Sequence, residues 1–262
     1  MRAIRQQMPE EAALYLADQR HVPYGSRSLE EVRAFSEGIA RFLLSQGAKL
    51  IAAACNTASA AALHHLRQTF PDVPFVGMEP AVKPAAEYTR SGVVGVLATP
   101  ATFQGALYAS VVERFASGVE LLQHTCPGLV AQIERGDLDG PETRAILAEA
   151  LLPMLVKGID TVVLGCTHYP FVIPLIEQIV GPEVRVIDPA PAVARQIGRL
   201  LEAYGLRHPL DEARDKSGED RGPVRFFTSG EVESLQPLLL ALFGEDGTVR
   251  PARWEEARLV LG

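Results

Sequence analysis

Two thiols far apart in the chain sit in matching local settings. Cys55 is followed by Asn56 and Thr57, and Cys166 by Thr167 and His168. Each follows an apolar run, Ala48 to Ala54 in the first case and Thr161 to Gly165 in the second. A short apolar run bounded by turn-type residues reads as a buried strand. Ligands of open α/β sheets bind outside the carboxyl ends of such strands. A free thiol has a pKa of about 8.5 and is mostly protonated at neutral pH. At a helix N-terminus the dipole and the unpaired N–H groups stabilise the thiolate. Two thiols poised in this way on opposite faces of a carbon can remove a proton from one side and return one from the other, which inverts a stereocentre. Asn56, Thr57 and Thr167, with the backbone amides at the helix starts, are suited to hold a carboxylate. A single cysteine at a strand end reads first as a small buried apolar residue. Two of them with polar followers read as chemistry. Cys126, before Pro127, lacks such followers and reads as structural.

The elements that must carry these groups alternate between two periods. The pattern predicts a helix over 1–9 and a strand over 13–17 ending at Asp18. A helix over 29–46 should follow, with Ser28 and Glu31 as its capping box. The first cysteine strand and an Ala-rich helix over 57–70 come next, then a strand over 74–77. Beyond Gly92 the alternation repeats. Strands are expected at 93–97, 161–165 and 184–188. Helices are expected around 107–115, 128–135, 142–156, from 174, and over 190–204. Residues 207–222 read as a charged solvent loop, 224–228 as a late strand and 235–243 as a helix; the tail after Gly244 has no clear pattern. Strands alternating with helices of this length imply parallel sheets built from crossover units, an α/β fold.

The chain has 262 residues, 47% of them apolar, enough for one large α/β unit or two smaller ones with real cores. A net charge of −7 argues against nucleic acid or an anionic membrane as the main partner. The start carries no apolar signal core, and no apolar run is long enough to span a bilayer. A cytoplasmic location is expected. Three well-separated cysteines make a poor disulfide framework, and there is no Cys-x-x-Cys pair. His64 and His65 are adjacent rather than four apart, so no metal site is expected. No Gly-x-Gly-x-x-Gly or phosphate loop and no lysine in an evident cofactor motif is present, and no cofactor is expected.

Cys55-Asn56-Thr57-Ala58-Ser59-Ala60 and Leu164-Gly165-Cys166-Thr167-His168-Tyr169-Pro170 resemble the two signature segments of the glutamate racemases, within the aspartate/glutamate racemase superfamily. Asp18 with Pro23-Tyr24-Gly25 matches as well. Weaker matches are Gly95 to Thr102, and Cys126-Pro127 with Glu134. The likeness runs from Met1 to about Tyr204 and recurs at 226–230. Aspartate racemases usually carry an acidic residue where this chain has His168, which favours glutamate. The resemblance implies two doubly wound parallel-sheet domains related by pseudo-symmetry, residues 1–82 with 195–262 and residues 83–194, and a site in the cleft between them. It implies cofactor-independent racemisation of L- and D-glutamate, with D-glutamate going to peptidoglycan. Cys55 and Cys166 would be the two bases, with His168 assisting Cys166 and Asp18 and Glu134 as helpers. Pro23, Tyr24, Gly25, Asn56, Thr57, Thr99, Thr102, Thr167 and His168 would line the substrate site. A homodimer would suit the family.

The family pattern also opens with a strand and an Asp-Ser-Gly-x-Gly-Gly loop, whose Asp supports the first cysteine and whose Ser contacts substrate. This sequence begins at Met1-Arg2-Ala3-Ile4-Arg5, in what matches the following helix. The expectation is a start codon further upstream, and weak activity and stability for the chain as written. A racemase for aspartate or another amino acid, and a non-catalytic glutamate-binding relative, stay open at this point.

Overall fold

A computed structural model of the chain describes residues 1–208 and 222–262. The expected loop at 207–222 lies almost wholly outside the described residues. Along the chain, α1 (Arg2–Gln7) leads to β1 (Ala13–Ala17), α2 (Leu29–Ser45), β2 (Ile51–Ala52), α3 (Asn56–Thr69) and β3 (Phe75–Val76). Then come α4 (Val82–Tyr88), β4 (Val93–Ala98), α5 (Pro100–Gln104), α6 (Ala106–Phe115), β5 (Glu120–His124), α7 (Leu129–Glu134) and α8 (Pro141–Val156). They are followed by β6 (Thr161–Gly165), α9 (Ile173–Val180), β7 (Arg185–Ile187), α10 (Ala190–Ala203), β8 (Val224–Thr228), α11 (Val232–Leu235), β9 (Val249–Glu255) and β10 (Arg258–Leu261).

Among the described residues the strands form three sheets, ordered β1-β8-β9-β10, β2-β3 and β5-β4-β6-β7. Every pairing is parallel except the final β9–β10 hairpin. The β5-β4-β6-β7 sheet is covered on both faces, which is why its two central strands, β4 and β6, are buried almost throughout rather than alternating. Leu97, Val162 and Leu164 turn to the layer of α7, α8 and α9, with Leu129, Ile133, Leu147, Leu151 and Ile176. Val94, Val96 and Val163 turn the other way, onto α4 and α6. Two further clusters sandwich β2 and β3. Ala40, Ala62 and Leu66 from α2 and α3 lie on one side, and Met8, Ile197 and Leu201 from the α1 end and α10 on the other. Phe226 and Phe227 of β8 likewise point to opposite faces, one toward Leu239 and Phe243 and the other toward Phe42 of α2. No helix among the described residues is long and apolar enough to cross a membrane.

Several elements differ from the sequence reading. The capping box at Ser28 and Glu31 is present, but the apolar run before Cys55 gives only two ladder residues, because β2 is paired on one side only, by β3. The expected helix over 235–243 is divided: α11 ends at Leu235, and Leu239–Phe243 forms a wider π-type turn beyond Pro237, which has no N–H to donate. Strand β5 was not anticipated, because as the outer strand of its sheet it keeps Glu120 and Gln123 exposed. Nor were α4 and the β9–β10 hairpin, whose outward positions are Arg and Glu.

Candidate active site

Strand register explains why the candidate residues meet. Ala98 of β4 pairs with Gly165 of β6, so the next residues, Thr99 and Cys166, emerge side by side at the carboxyl end of the sheet. A Cβ on Gly165 would stand 2.7 Å from the Ala98 Cβ, so the close approach of these two strands needs glycine there. Ala17 of β1 likewise pairs with Thr228 of β8, and Asp18 and Ser229 emerge together in the same manner.

Cys55 occupies the N-cap of α3, where its sulfur accepts the Ala58 N–H at 3.4 Å. Burial pushes the thiol up to about 11, against the pull of the Ala58 amide and of the Thr57 amide and hydroxyl. A negative charge on Cys166 also raises it, which means that the two thiols lie within electrostatic reach of each other. From Thr57 a line of hydroxyls crosses between the halves. Thr57 Oγ1 is 3.1 Å from Thr99 Oγ1, which is 3.0 Å from Thr102 Oγ1. Thr99 caps α5 by accepting the Thr102 N–H. Gly25 closes on the same spot, with its Cβ position 3.0 Å from the Thr99 Cβ. Asn56, at the first turn of α3, is 3% exposed, and neither its amide nitrogen nor its amide oxygen has a partner. An orphaned buried amide is costly, and it marks a place where a polar ligand would be welcome.

Cys166 is set in a different environment. It is buried, and its sulfur lies 3.9 Å from His168 Nδ1. The other ring nitrogen, Nε2, is 2.6 Å from Glu134 Oε1. Burial lowers the proton affinity of His168, but its bonds to Cys166 and Glu134 outweigh burial and lift it to about 10. The bond to His168 in turn holds Glu134 below the usual carboxylate range, against burial. Glu134 reaches this position because α7 starts from a tight turn in which Cys126 takes a φ of 44° and Gly128 one of 85°. Cys126 is buried, and burial pushes its thiol up to about 12, with a smaller push from Cys166. Thr167 is half-buried between Cys166 and His168.

Asp18 is an anchor point in the structure. Its Oδ2 accepts from the Tyr24 hydroxyl at 2.6 Å and from His21 Nδ1 at 2.9 Å. Its Oδ1 accepts from the Ser229 hydroxyl at 2.6 Å and from Trp254 Nε1 at 2.8 Å. Burial and the Asp18 charge hold the Tyr24 phenol far above its ordinary value, and Cys55 adds to this, so Tyr24 stays a neutral donor close to that thiol. Pro23 is exposed at the head of this loop. Ser229 and Trp254 were missed by the sequence reading. Ser229 could have been found by pairing the strands that end at Asp18 and Thr228, whereas nothing local signals Trp254.

A profile of the Asp/Glu/hydantoin racemase family matches residues 1–197. The chain is 50% identical over 249 residues to the glutamate racemase of Pseudomonas aeruginosa strain PAO1, covering 95% of this chain and 91% of that one. It is 54% identical over 239 residues to the glutamate racemase of Roseiflexus sp. strain RS-1, covering 91% and 85%. Its fold is similar to that of Escherichia coli glutamate racemase solved with L-glutamate and the activator UDP-MurNAc-ala, at a TM-score of 0.81 and 30% identity, covering 99% of this chain and 93% of that one.

Proposed function

The chain belongs to the Asp/Glu/hydantoin racemase family, and from that premise we propose that it interconverts L- and D-glutamate by a two-base mechanism, with D-glutamate serving peptidoglycan synthesis. The observation that carries the mechanism is the pair of free thiols, each just past the carboxyl end of a parallel strand, with the Cys166 charge felt at Cys55. In this reading residues 1–82 with 195–262 form one lobe and residues 83–194 the other, and the substrate lies between them.

The thiolate of one cysteine takes the α-proton and becomes a thiol. The electron pair left on the α-carbon spreads into the carboxylate. The thiol of the opposite cysteine then gives its proton to the other face and is left as the thiolate, so protons balance and the stereocentre is inverted. His168, kept protonated by Glu134, stabilises the Cys166 thiolate. The α3 amides and the Thr57 hydroxyl serve Cys55 in the same role. Asn56, Thr99, Thr102, Thr167 and the Pro23–Gly25 backbone are the groups assigned to binding, and the unpartnered Asn56 amide supports that assignment. Asp18 holds Tyr24 and its loop in place and takes no proton in this scheme.

The test is conversion of pure L-glutamate, followed by chiral chromatography without added pyridoxal phosphate or metal, together with α-hydrogen exchange in D2O. Appearance of D-glutamate with solvent deuterium at the α-carbon is expected. Turnover of aspartate but not glutamate would overturn the substrate assignment. Glutamate binding without exchange would overturn catalysis.

A further inference from the structure

The hairpin at the end of the chain reaches further than the sheet it belongs to. Strand β9 runs parallel to β8, and their register ends with Thr228 beside Pro251. Residues 252–255 of β9 continue past that point, paired with β10. They overhang the carboxyl edge of the sheet, where Asp18 and Ser229 emerge. Trp254 lies on this overhang, half-buried, and its Nε1 donates to Asp18 Oδ1 at 2.8 Å. The indole stands edge-on to the His21 ring at 5.2 Å, and His21 is stacked at 3.8 Å on Phe35 of α2. Helix α2 makes room for the hairpin at Gly38. A Cβ there would stand 2.6 Å from the Trp254 ring and 2.9 Å from the Ala257 carbonyl oxygen. Glycine weakens a helix interior, so its place in α2 is explained by the ring and the turn that it admits.

Asp18 carries this anchorage into the loop that follows it. Its other oxygen accepts from the Tyr24 hydroxyl at 2.6 Å and from His21 Nδ1 at 2.9 Å, so hairpin and loop share one carboxylate. Tyr24 packs with Cys55 against Val32, Ala58 and Ala61, and the next residue, Gly25, is the one that closes on Thr99. Two other side-chain bonds, from Arg27 to the His21 carbonyl and from Ser26 to the Pro23 carbonyl, stay inside the loop and do not tie it to the sheet. We propose that the β9–β10 hairpin braces the Pro23–Tyr24–Gly25 loop, and that Trp254, acting through Asp18, is a positioning residue for substrate binding. The kinetic side of this inference rests on the racemase reading, in which the backbone of that loop contacts glutamate; the bracing itself does not.

Trp254→Phe keeps an aromatic ring in the hairpin and removes the N–H. Hydrogen–deuterium exchange over residues 21–27 reads the brace without any substrate. The amides of His21 and Arg27, which bond the Asp18 and Tyr24 carbonyls, should exchange about tenfold faster in Trp254→Phe, the scale of one lost bond to a charged group. KM for glutamate should rise about fivefold with kcat changed less than twofold, because the loop is assigned to binding and not to proton transfer. Gly38→Ala is the second variant. It keeps Trp254 and favours the helix, but its Cβ displaces the indole, and the same pattern is expected. Unchanged loop exchange in both folded variants overturns the brace. Faster exchange with an unchanged KM, or a loss confined to kcat, overturns the positioning role. If the wild-type chain does not racemise glutamate, the racemase reading fails, and loop exchange still decides whether the hairpin braces the loop.

Discussion

The two thiols occupy corresponding places in the two halves of the fold, each just past the end of a parallel strand, but their surroundings are chemically unequal. Cys55 is supported by neutral dipoles: the N-terminal amides of α3, the Thr57 hydroxyl and the threonines beyond it. Cys166 is supported by charge, through His168 and Glu134. Backbone dipoles need no ionisable partner and do not change with pH. An imidazolium–carboxylate pair stabilises a thiolate more strongly but can itself titrate. Topological equivalence therefore does not make the two thiols equal, and the proposed two-base scheme needs only that each can give and take a proton, not that they do so with the same groups.

The sharpest way to break the comparison is to remove either sulfur. Cys55→Ala and Cys166→Ala should each lower kcat by about a thousandfold or more, toward the upper range of positioned acid–base groups. If either variant kept most of its turnover, as measured by chiral chromatography, the two-base scheme would fail. The next largest effect concerns the Cys55 thiol alone. Because burial lifts it to about 11, its thiolate fraction at pH 8 is about two hundredfold below that of an unfolded thiol near 8.5. Iodoacetamide labelling of Cys55, read by peptide mass spectrometry, should keep accelerating through pH 10, whereas the denatured chain levels off above about pH 9. A plateau near pH 8 in the folded protein would mean that the α3 amides outweigh burial.

How much of this was legible follows from which contacts are local. The strand-end placement of both thiols, the capping box of α2 and the parallel alternation are encoded in runs of a few residues, and they were read correctly. His168 was read as the helper of Cys166 through the family resemblance, and its contact spans only two residues. The anchoring of Asp18 by Ser229 and Trp254 was not readable, since these partners arrive from the far end of the chain through the β1–β8–β9 order, which no local pattern specifies. The β9–β10 hairpin escaped for a related reason. An outer antiparallel pair alternates one buried residue with exposed Arg and Glu and contains Pro251, so it does not look like a core strand.

The two carboxylates assigned together as helpers divide along the same line, and substituting each in turn sharpens the contrast. Asp18→Asn leaves the His168–Glu134 pair in place but removes the Asp18 charge and sets an NH2 among donors that all need an acceptor. We expect a loss of about 2–3 kcal/mol of stability, visible as a lowered Tm, because a buried four-bond acceptor is disrupted. Glu134→Gln keeps the shape but removes the charge that holds His168 protonated. We expect kcat to fall about thirtyfold with little change in Tm. If Asp18→Asn proved fully stable but inactive, Asp18 would belong with the acid–base groups rather than the scaffold.

The smallest predicted effect separates binding from scaffolding in the Cys55 half. Asn56 is buried with both amide atoms unpartnered, whereas the polar side chains around Asp18 are paired. Replacing an unsatisfied buried amide with a smaller apolar group removes its desolvation cost of about 1–3 kcal/mol while giving up some packing, and alanine suits the first turn of α3 better than asparagine does. Asn56→Ala should therefore leave Tm within about 2 °C of wild type in the absence of glutamate, or raise it. It should also raise KM severalfold and reduce the Tm gain on adding glutamate, because the lost amide is one the substrate would have satisfied. Thermal melts with and without glutamate read both quantities in one experiment. A large Tm loss without ligand, with KM unchanged, would assign the amide to the scaffold and leave α3 contributing backbone dipoles alone to the site.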